Sequence, residues 1–138
     1  MCRVSRSVVL RVMQCGRMYP NPDFLLHLCG QRDWDDAKGS GELCPPSLAD
    51  VGFVHLSAPH QVHLPANRLF AGRTDVVLLR VDPRALTAPL RWEPGVPTDP
   101  ESMLFPHLYG SLPVAAVVAV APYLPGPDGS FPPFQSAT

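Results

Sequence analysis

A chain of 138 residues is long enough for one domain with a single hydrophobic core and too short for two. Its formal net charge is only −1, but from Asp23 onward seven basic residues stand against twelve acidic ones, a balance of −5. Because binding to a phosphate backbone needs a basic face, this balance argues against a nucleic-acid-binding protein.

The first 22 residues differ from the rest, since they contain four arginines and no acidic residue. No apolar run reaches the length of a membrane span, and no signal-peptide core is recognisable. We therefore expect a cytoplasmic protein without a membrane partner, in which residues 1–22 form a disordered extension. A single domain is expected over residues 23–124, followed by a turn-rich C-terminal tail over residues 125–138.

The first half of the domain contains two predicted strands and two predicted helices. The apolar run at residues 24–29 predicts a buried strand, and residues 33–38 predict a short helix closed by Gly39. Residues 51–56 predict a second strand. Ser57 then suits the N-cap of a helix over residues 58–71, which places four apolar residues on one buried face: Val62, Ala66, Leu69 and Phe70.

The second half is dominated by strands. Residues 75–81 carry the strongest strand pattern, and residues 90–93 predict a shorter strand. A proline-rich loop at 94–103 leads to an extended segment at 104–109 and to a final central strand over 114–121. Strands outnumber helices and do not alternate with them, which favours an α+β fold over a doubly wound sheet.

Three histidines fall on predicted strands: His27, His55 and His107. Because side chains alternate along a strand, His55 shares a face with Phe53, and Ser57 joins them if the strand persists. A histidine inside an apolar run is costly unless it has a partner or opens onto a cavity. The alternatives are a polar ligand site, such as one for a ribose hydroxyl, and histidines satisfied within the core.

The segment at 104–110 places Phe105, His107 and Tyr109 on one face if it is extended. A phenyl ring, an imidazole and a phenol together can stack on a ligand ring and hydrogen-bond its substituents. An aromatic cluster that closes the core is the competing interpretation.

Arg91 and Glu93 also share a face, on either side of Trp92. Glu93 has the chemistry of a general base or of a group that stabilises a cationic transition state, and Arg91 that of a phosphate or carboxylate ligand. A surface ion pair explains the same pattern without any function.

Nucleotide-binding glycine motifs are missing, so any nucleotide must be bound by another arrangement. His60, His63 and Asn67 form a polar stripe on the predicted helix, which we interpret as a solvated face. That helix has no acidic residue, and no cysteine or carboxylate stands at ligand spacing to its histidines, which argues against a metal there. A zinc site built from His27, His55 and His107 is a separate possibility, although we expect no metal.

Six strings occur in an order that resembles the bacterial Domain of Unknown Function 952 family, over roughly Leu25 to Pro122. Two of them are specific: the Gly-Phe-[Ile/Val]-His-x-Ser string and the Leu-Phe-Pro-His-Leu-Tyr-Gly string. The strings are Leu26-His27-Leu28, Gly52-Phe53-Val54-His55-Leu56-Ser57, Phe70-Ala71-Gly72, Asp75-Val76-Val77-Leu78-Leu79, Arg91-Trp92-Glu93 and Phe105-Pro106-His107-Leu108-Tyr109-Gly110.

Members of that family look like the ADP-ribosyltransferase superfamily, which implies a compact α+β domain of two small, mostly antiparallel sheets forming a cleft, with few short helices. The resemblance implies that NAD, or an ADP-ribosylated or 2′-phosphorylated substrate, binds in the cleft. It assigns His27 to the first position of the nucleotide cradle and His55 with Ser57 to the second. Glu93 or His107 would supply the third.

Three hypotheses follow. In the first, an NAD-using transferase or glycohydrolase stabilises the ribosyl cation with Glu93, assisted by His107, while His27, His55, Ser57, Arg91 and Tyr109 bind the nucleotide. In the second, a non-catalytic module binds a nucleotide or an ADP-ribosyl group. In the third, a metal-dependent hydrolase uses the three histidines.

Overall fold

The computed structural model of the protein describes residues 23–95 and 103–134. The predicted extension at 1–22 and most of the predicted loop at 94–103 therefore lie outside the described residues. Three short 3-10 turns, at Pro59–Gln61, Pro83–Ala85 and Val114–Ala116, join some of the elements. The helices and strands are β1 (Leu25–Gly30), α1 (Gln31–Ser40), β2 (Glu42–Leu43), α2 (Pro46–Val51), β3 (Val54–His55), α3 (His63–Leu69), β4 (Val76–Val81), β5 (Leu90–Pro94), β6 (Leu104–Leu108), β7 (Leu112–Pro113) and β8 (Val117–Pro122).

These strands form three small antiparallel sheets, with strand orders β1-β4-β8, β3-β6-β5 and β2-β7. The α+β class is confirmed. The expected number of two sheets is corrected to three, because two-residue strands at β2 and β7 pair separately. Such short strands carry too little apolar pattern to be recognised in a sequence.

The two larger sheets are joined at one point by a pair of backbone hydrogen bonds between Leu26 and Ser57. The amide of each residue donates to the carbonyl of the other, both at 2.8 Å. This bridge ties the start of β1 to the end of the segment that carries His55. It thereby brings His27 and His55 together, although 28 residues separate them in the chain.

Both faces of the β1-β4 pair are covered by a hydrophobic cluster. One cluster contains Leu25, Leu79 and Val81, and the other contains Leu26 and Leu78, as expected from the alternation of side chains along a strand. A fully buried leucine contributes about 1.5–3 kcal/mol. Burial on both faces explains why β4 reads as a nearly continuous apolar run in the sequence.

Helix α1 runs one residue beyond the predicted stop at Gly39. The helix ends at Gly41, whose φ of 95° is left-handed and whose amide donates to the Ala37 carbonyl at 2.7 Å. Glycine tolerates this conformation because it has no Cβ, so the second of the two glycines is the cap.

The predicted strand over 51–56 is shorter in the structure, because its first residue belongs to helix α2. That helix starts at Pro46, where a missing amide costs nothing in the first turn. Gly52 closes it with a φ of 89°, and only Val54–His55 then pairs as a strand.

The helix predicted over 58–71 is shorter in the structure, at His63–Leu69, and its predicted Ser57 N-cap is wrong. Ser57 uses its backbone to pair with Leu26, while the Gln61 side chain accepts from the Ala58 amide at 2.9 Å. A 3-10 turn then precedes the short α3, and Leu69 is 59% exposed rather than on the buried face.

The last strand is also corrected. Residues 114–116 form a 3-10 turn, and β8 lies at the edge of its sheet with Val118 and Val120 exposed. After it, Phe131 is buried in the second cluster against Tyr123, with ring centroids 5.0 Å apart. Within the part of the chain that the structure describes, no helix is long and apolar enough to span a membrane.

Candidate functional site

The β3-β6-β5 sheet sets the predicted functional residues side by side. In its register His55 lies opposite His107, and His107 lies opposite Arg91 on the other side. Glu93 is two residues further along β5, on the same face as Arg91. Residues that are 14 to 52 positions apart in the chain thus meet across three neighbouring strands.

At the centre of this face, Glu93 accepts two hydrogen bonds on one carboxylate oxygen. His107 Nδ1 lies 2.8 Å from Glu93 Oε1, and the Tyr109 hydroxyl donates to the same atom at 2.7 Å. Because a carboxylate only accepts, His107 Nδ1 carries the proton. In this tautomer the lone pair of an uncharged ring lies on Nε2, which is the arrangement of a general base held by a carboxylate.

The ionisation of Glu93 and Tyr109 follows from these bonds. Partial burial raises the pKa of Glu93, but the hydrogen bonds from Tyr109 and His107 outweigh it and leave that pKa below its usual value. The bond to Glu93 also raises the pKa of the Tyr109 hydroxyl. At neutral pH the site therefore holds an ionised carboxylate and a protonated phenol.

Aromatic contacts pack this group together. Phe53 stacks on His107 with ring centroids 4.0 Å apart and 15° between the planes, and His55 meets both rings edge-on at 5.0 and 5.5 Å. The Arg91 guanidinium lies 4.8 Å from the centre of the Tyr109 ring. The predicted shared faces of Phe53 with His55, and of Arg91 with Glu93, agree with these contacts.

A pocket of about 330 Å³ opens beside the histidine pair. Three of the predicted site residues, His55, Ser57 and His107, line it together. Burial lowers the pKa of His55, and the nearby His107 and Arg68 lower it further. The described lining residues are Phe53, His55, Leu56, Ser57, Pro65, Arg68, Leu69, Pro94, Gly95, Phe105 and His107.

Arg68 is the pocket residue that the sequence did not point to. It follows Asn67 on α3 and belongs to no motif, so only the packing of α3 against the sheet reveals it. Asn67, predicted to lie on a solvated face, instead bonds the backbone of Phe131 through both its amide nitrogen and its oxygen. The polar stripe thus partly serves to attach the C-terminal segment.

His27 is placed differently from the other two histidines. It is 6% exposed, and its Nδ1 donates to the carbonyl of His55 at 2.8 Å. Burial lowers the pKa of His27 to about 4, so the ring is neutral. It supports the backbone of His55 and lines a second cavity rather than the 330 Å³ pocket.

The described residues contain no group of three His, Cys, Asp or Glu side chains that could hold a metal ion. The three-histidine site considered from the sequence is therefore not assembled among those residues.

Comparison with known proteins places the chain in a family. The family model described as a protein of unknown function (DUF952) matches residues 28–120. The comparison with curated proteins found no match.

Solved structures of protein CC0527 from Caulobacter crescentus are similar to this chain. A crystal structure is 33% identical, with a TM-score of 0.68, and covers 79% of this chain and 93% of its own. A solution NMR structure of CC0527 is 31% identical, with a TM-score of 0.65, and covers 78% and 90%. The ordered motifs, the family match and these structures agree, and the chain belongs to the DUF952 family of proteins of unknown function.

Proposed function

We propose that the 330 Å³ pocket binds the ribosyl half of NAD, or of a related nucleotide, and that the chain transfers the ribosyl group with His107 as general base. The hydrogen bond between His107 Nδ1 and Glu93 carries this proposal, because it leaves a basic nitrogen on a histidine that lines the pocket. The resemblance to ADP-ribosyltransferase-like proteins supplies the substrate class.

The size and lining of the pocket support this ligand. A volume of about 330 Å³ lies at the lower end of the range for small-molecule sites, about 300–1,000 Å³. It suits one half of a dinucleotide better than the whole. Phe53 and Phe105 offer apolar surface to a base, His55 and Ser57 offer partners for ribose hydroxyls, and Arg68 brings positive charge toward a phosphate.

The proposed step balances without a metal. An acceptor hydroxyl forms a bond to the ribose C1′ while its proton moves to His107 Nε2. The bond from C1′ to the nicotinamide nitrogen breaks, and nicotinamide leaves with the electron pair. Glu93 stabilises the imidazolium that forms.

This assigns Glu93 a role different from the one that the resemblance implied. Its Oε1 already accepts from His107 and Tyr109. The neighbouring Pro94 and Gly95, rather than Glu93, are among the residues that line the pocket. We therefore propose that Glu93 orients and charges His107 instead of touching the ribosyl cation, while Arg91 and Tyr109 hold Glu93 in place.

Nicotinamide release from NAD by the full chain, together with the melting shift that NAD causes, tests the proposal. Glu93→Gln keeps an oxygen acceptor and removes the charge, and we expect it to lower kcat by about tenfold or more, as one part of the roughly 10²–10⁴-fold that a general base contributes. Asp82→Asn is the matched control, since that carboxylate caps the Pro83–Ala85 turn and should leave turnover unchanged.

The absence of both nicotinamide release and a melting shift at millimolar NAD would overturn the proposal. A melting shift without release would instead favour a non-catalytic nucleotide-binding module. One observation favours this second candidate: Phe53 stacks on one face of the His107 ring, with centroids 4.0 Å apart, and so restricts access to the proposed base.

A further inference from the structure

A second and larger cavity, of about 750 Å³, lies beside β1, α1 and β2. We propose that it binds a small organic cation that carries N–H donors, such as a guanidinium or alkylammonium group. The proposal does not rest on the function proposed for the other pocket. The residues that carry it are His27, Asp33, Asp36 and Glu42, all of which line the cavity.

The first step concerns the unused nitrogen of His27. Its Nδ1–H donates to the carbonyl of His55, which can only accept, so the neutral ring has a lone pair on Nε2. That Nε2 is buried and has no hydrogen-bond partner. Burial of this ring keeps its pKa near 4, so protonation does not satisfy the atom at neutral pH. What is missing at Nε2 is a donor.

The second step concerns charge. Three carboxylates line the cavity, and apart from the neutral His27 no basic residue is found among its described lining residues. Of two nearby cations, Lys38 lies 3.4 Å from Asp35, and Arg73 pairs with Asp75 at 2.6 Å. Arg73 also interacts electrostatically with Asp33, so the uncompensated negative charge of the cavity is that of Asp36 and Glu42. A ligand that enters this cavity therefore meets negative charge, which favours a cation over an anion.

The third step separates an organic cation from a metal ion. The described carboxylates and histidines nowhere form a group of three around a single point. Leu28 and Phe70 add apolar surface to the same cavity, which suits the carbon part of an amine or guanidine. Burial raises the pKa of the Cys29 thiol to about 12, so this lining residue adds neither charge nor a nucleophile.

Methylguanidinium is a suitable probe, and N-methylurea is its uncharged counterpart of similar shape. With the full chain labelled with ¹⁵N in its histidines, the Nε2 resonance of His27 reports directly whether that atom accepts a hydrogen bond. We expect a saturable shift of this resonance with methylguanidinium at neutral pH and a much weaker response to N-methylurea.

Two carboxylates on α1 form a matched pair of variants. Asp36 lines the cavity, whereas Asp35 is bonded to Gln31 and Lys38 and is not a lining residue. Asp36→Asn should weaken binding about two- to fivefold, the size of an exposed charge interaction, and Asp35→Asn should leave it unchanged. His27→Asn keeps a donor for the His55 carbonyl but loses Nε2, and should weaken binding about tenfold or more.

Three results would overturn the proposal. One is a His27 resonance that does not respond to the cation, including the case in which it is already hydrogen-bonded without the probe, as by a buried water. Another is equal binding of the charged and uncharged probes. The third is an equal change in methylguanidinium affinity for Asp36→Asn and Asp35→Asn. If His27→Asn does not fold, this comparison of the two aspartate variants still tests the proposal.

Discussion

The hydrogen bond from Tyr109 to Glu93 permits a test of the site that requires no ligand. Tyr109→Phe and Glu93→Gln, made singly and together, isolate the coupling between the hydroxyl and the charge of the carboxylate, since glutamine keeps an oxygen acceptor and His107 is present in all four proteins. A hydrogen bond to a charged group contributes about 1.5–3 kcal/mol, against about 0.5–1.5 kcal/mol for a neutral one. The Glu93 side chain is 32% exposed, so we expect a coupling at the lower end, about 1–2 kcal/mol at pH 7.

The pH dependence of this coupling follows from the lowered pKa of Glu93. Because the pKa of Glu93 in the folded protein lies below its usual value, the stabilisation is fully present above the unfolded pKa. It is lost as the pH falls through the folded pKa. Urea unfolding of the four proteins at pH 7 and in acid measures both quantities. A coupling below about 0.3 kcal/mol at pH 7, or one that persists unchanged in acid, would refute the reasoning.

Three further predictions concern stability and can be measured by urea unfolding. Burial lowers the pKa of His27 from 6.5 to about 4, so the unfolded chain binds a proton before the folded one as the pH falls. The free energy of unfolding should therefore decrease by about 3 kcal/mol when the pH is lowered from 6.5 to 4. His27→Asn should remove this contribution to the pH dependence, and an unchanged pH dependence would contradict the assignment. Phe131→Ala should lower the free energy of unfolding by about 3–5 kcal/mol, because this ring is 3% exposed. Leu124→Ala, at a side chain that is 53% exposed, should lower it by less than about 0.5 kcal/mol, and equal losses would show that the C-terminal segment is not packed against the domain. Gly41→Ala should destabilise the protein by about 1 kcal/mol or more, because the φ of 95° at this position is left-handed. Gly39→Ala, inside α1, should leave the stability unchanged or raise it by up to about 1 kcal/mol. A larger loss of stability at Gly39 than at Gly41 would place the helix cap at Gly39.

Much of the local structure was predictable from the chain. Strands β1, β4 and β5 lie close to their predicted positions, because their apolar runs are bounded by turn residues. The elements that were missed or misjudged are those whose backbone bonds go to distant partners. Ser57 fits an N-cap locally, but pairing with Leu26 across two sheets takes its backbone instead.

The sequence by itself determined which side chains share a face: Phe105 with His107, and Arg91 with Glu93. That follows from the two-residue alternation of a strand, which is a property of the local backbone. Only the tertiary structure decided that β6 lies between β3 and β5, which makes Glu93 the partner of His107. It also set His27 against the backbone of His55 and beside a separate acidic cavity, outside the pocket that His55 and His107 line. Strand order and register depend on contacts between distant parts of the chain, and no local periodicity encodes those contacts.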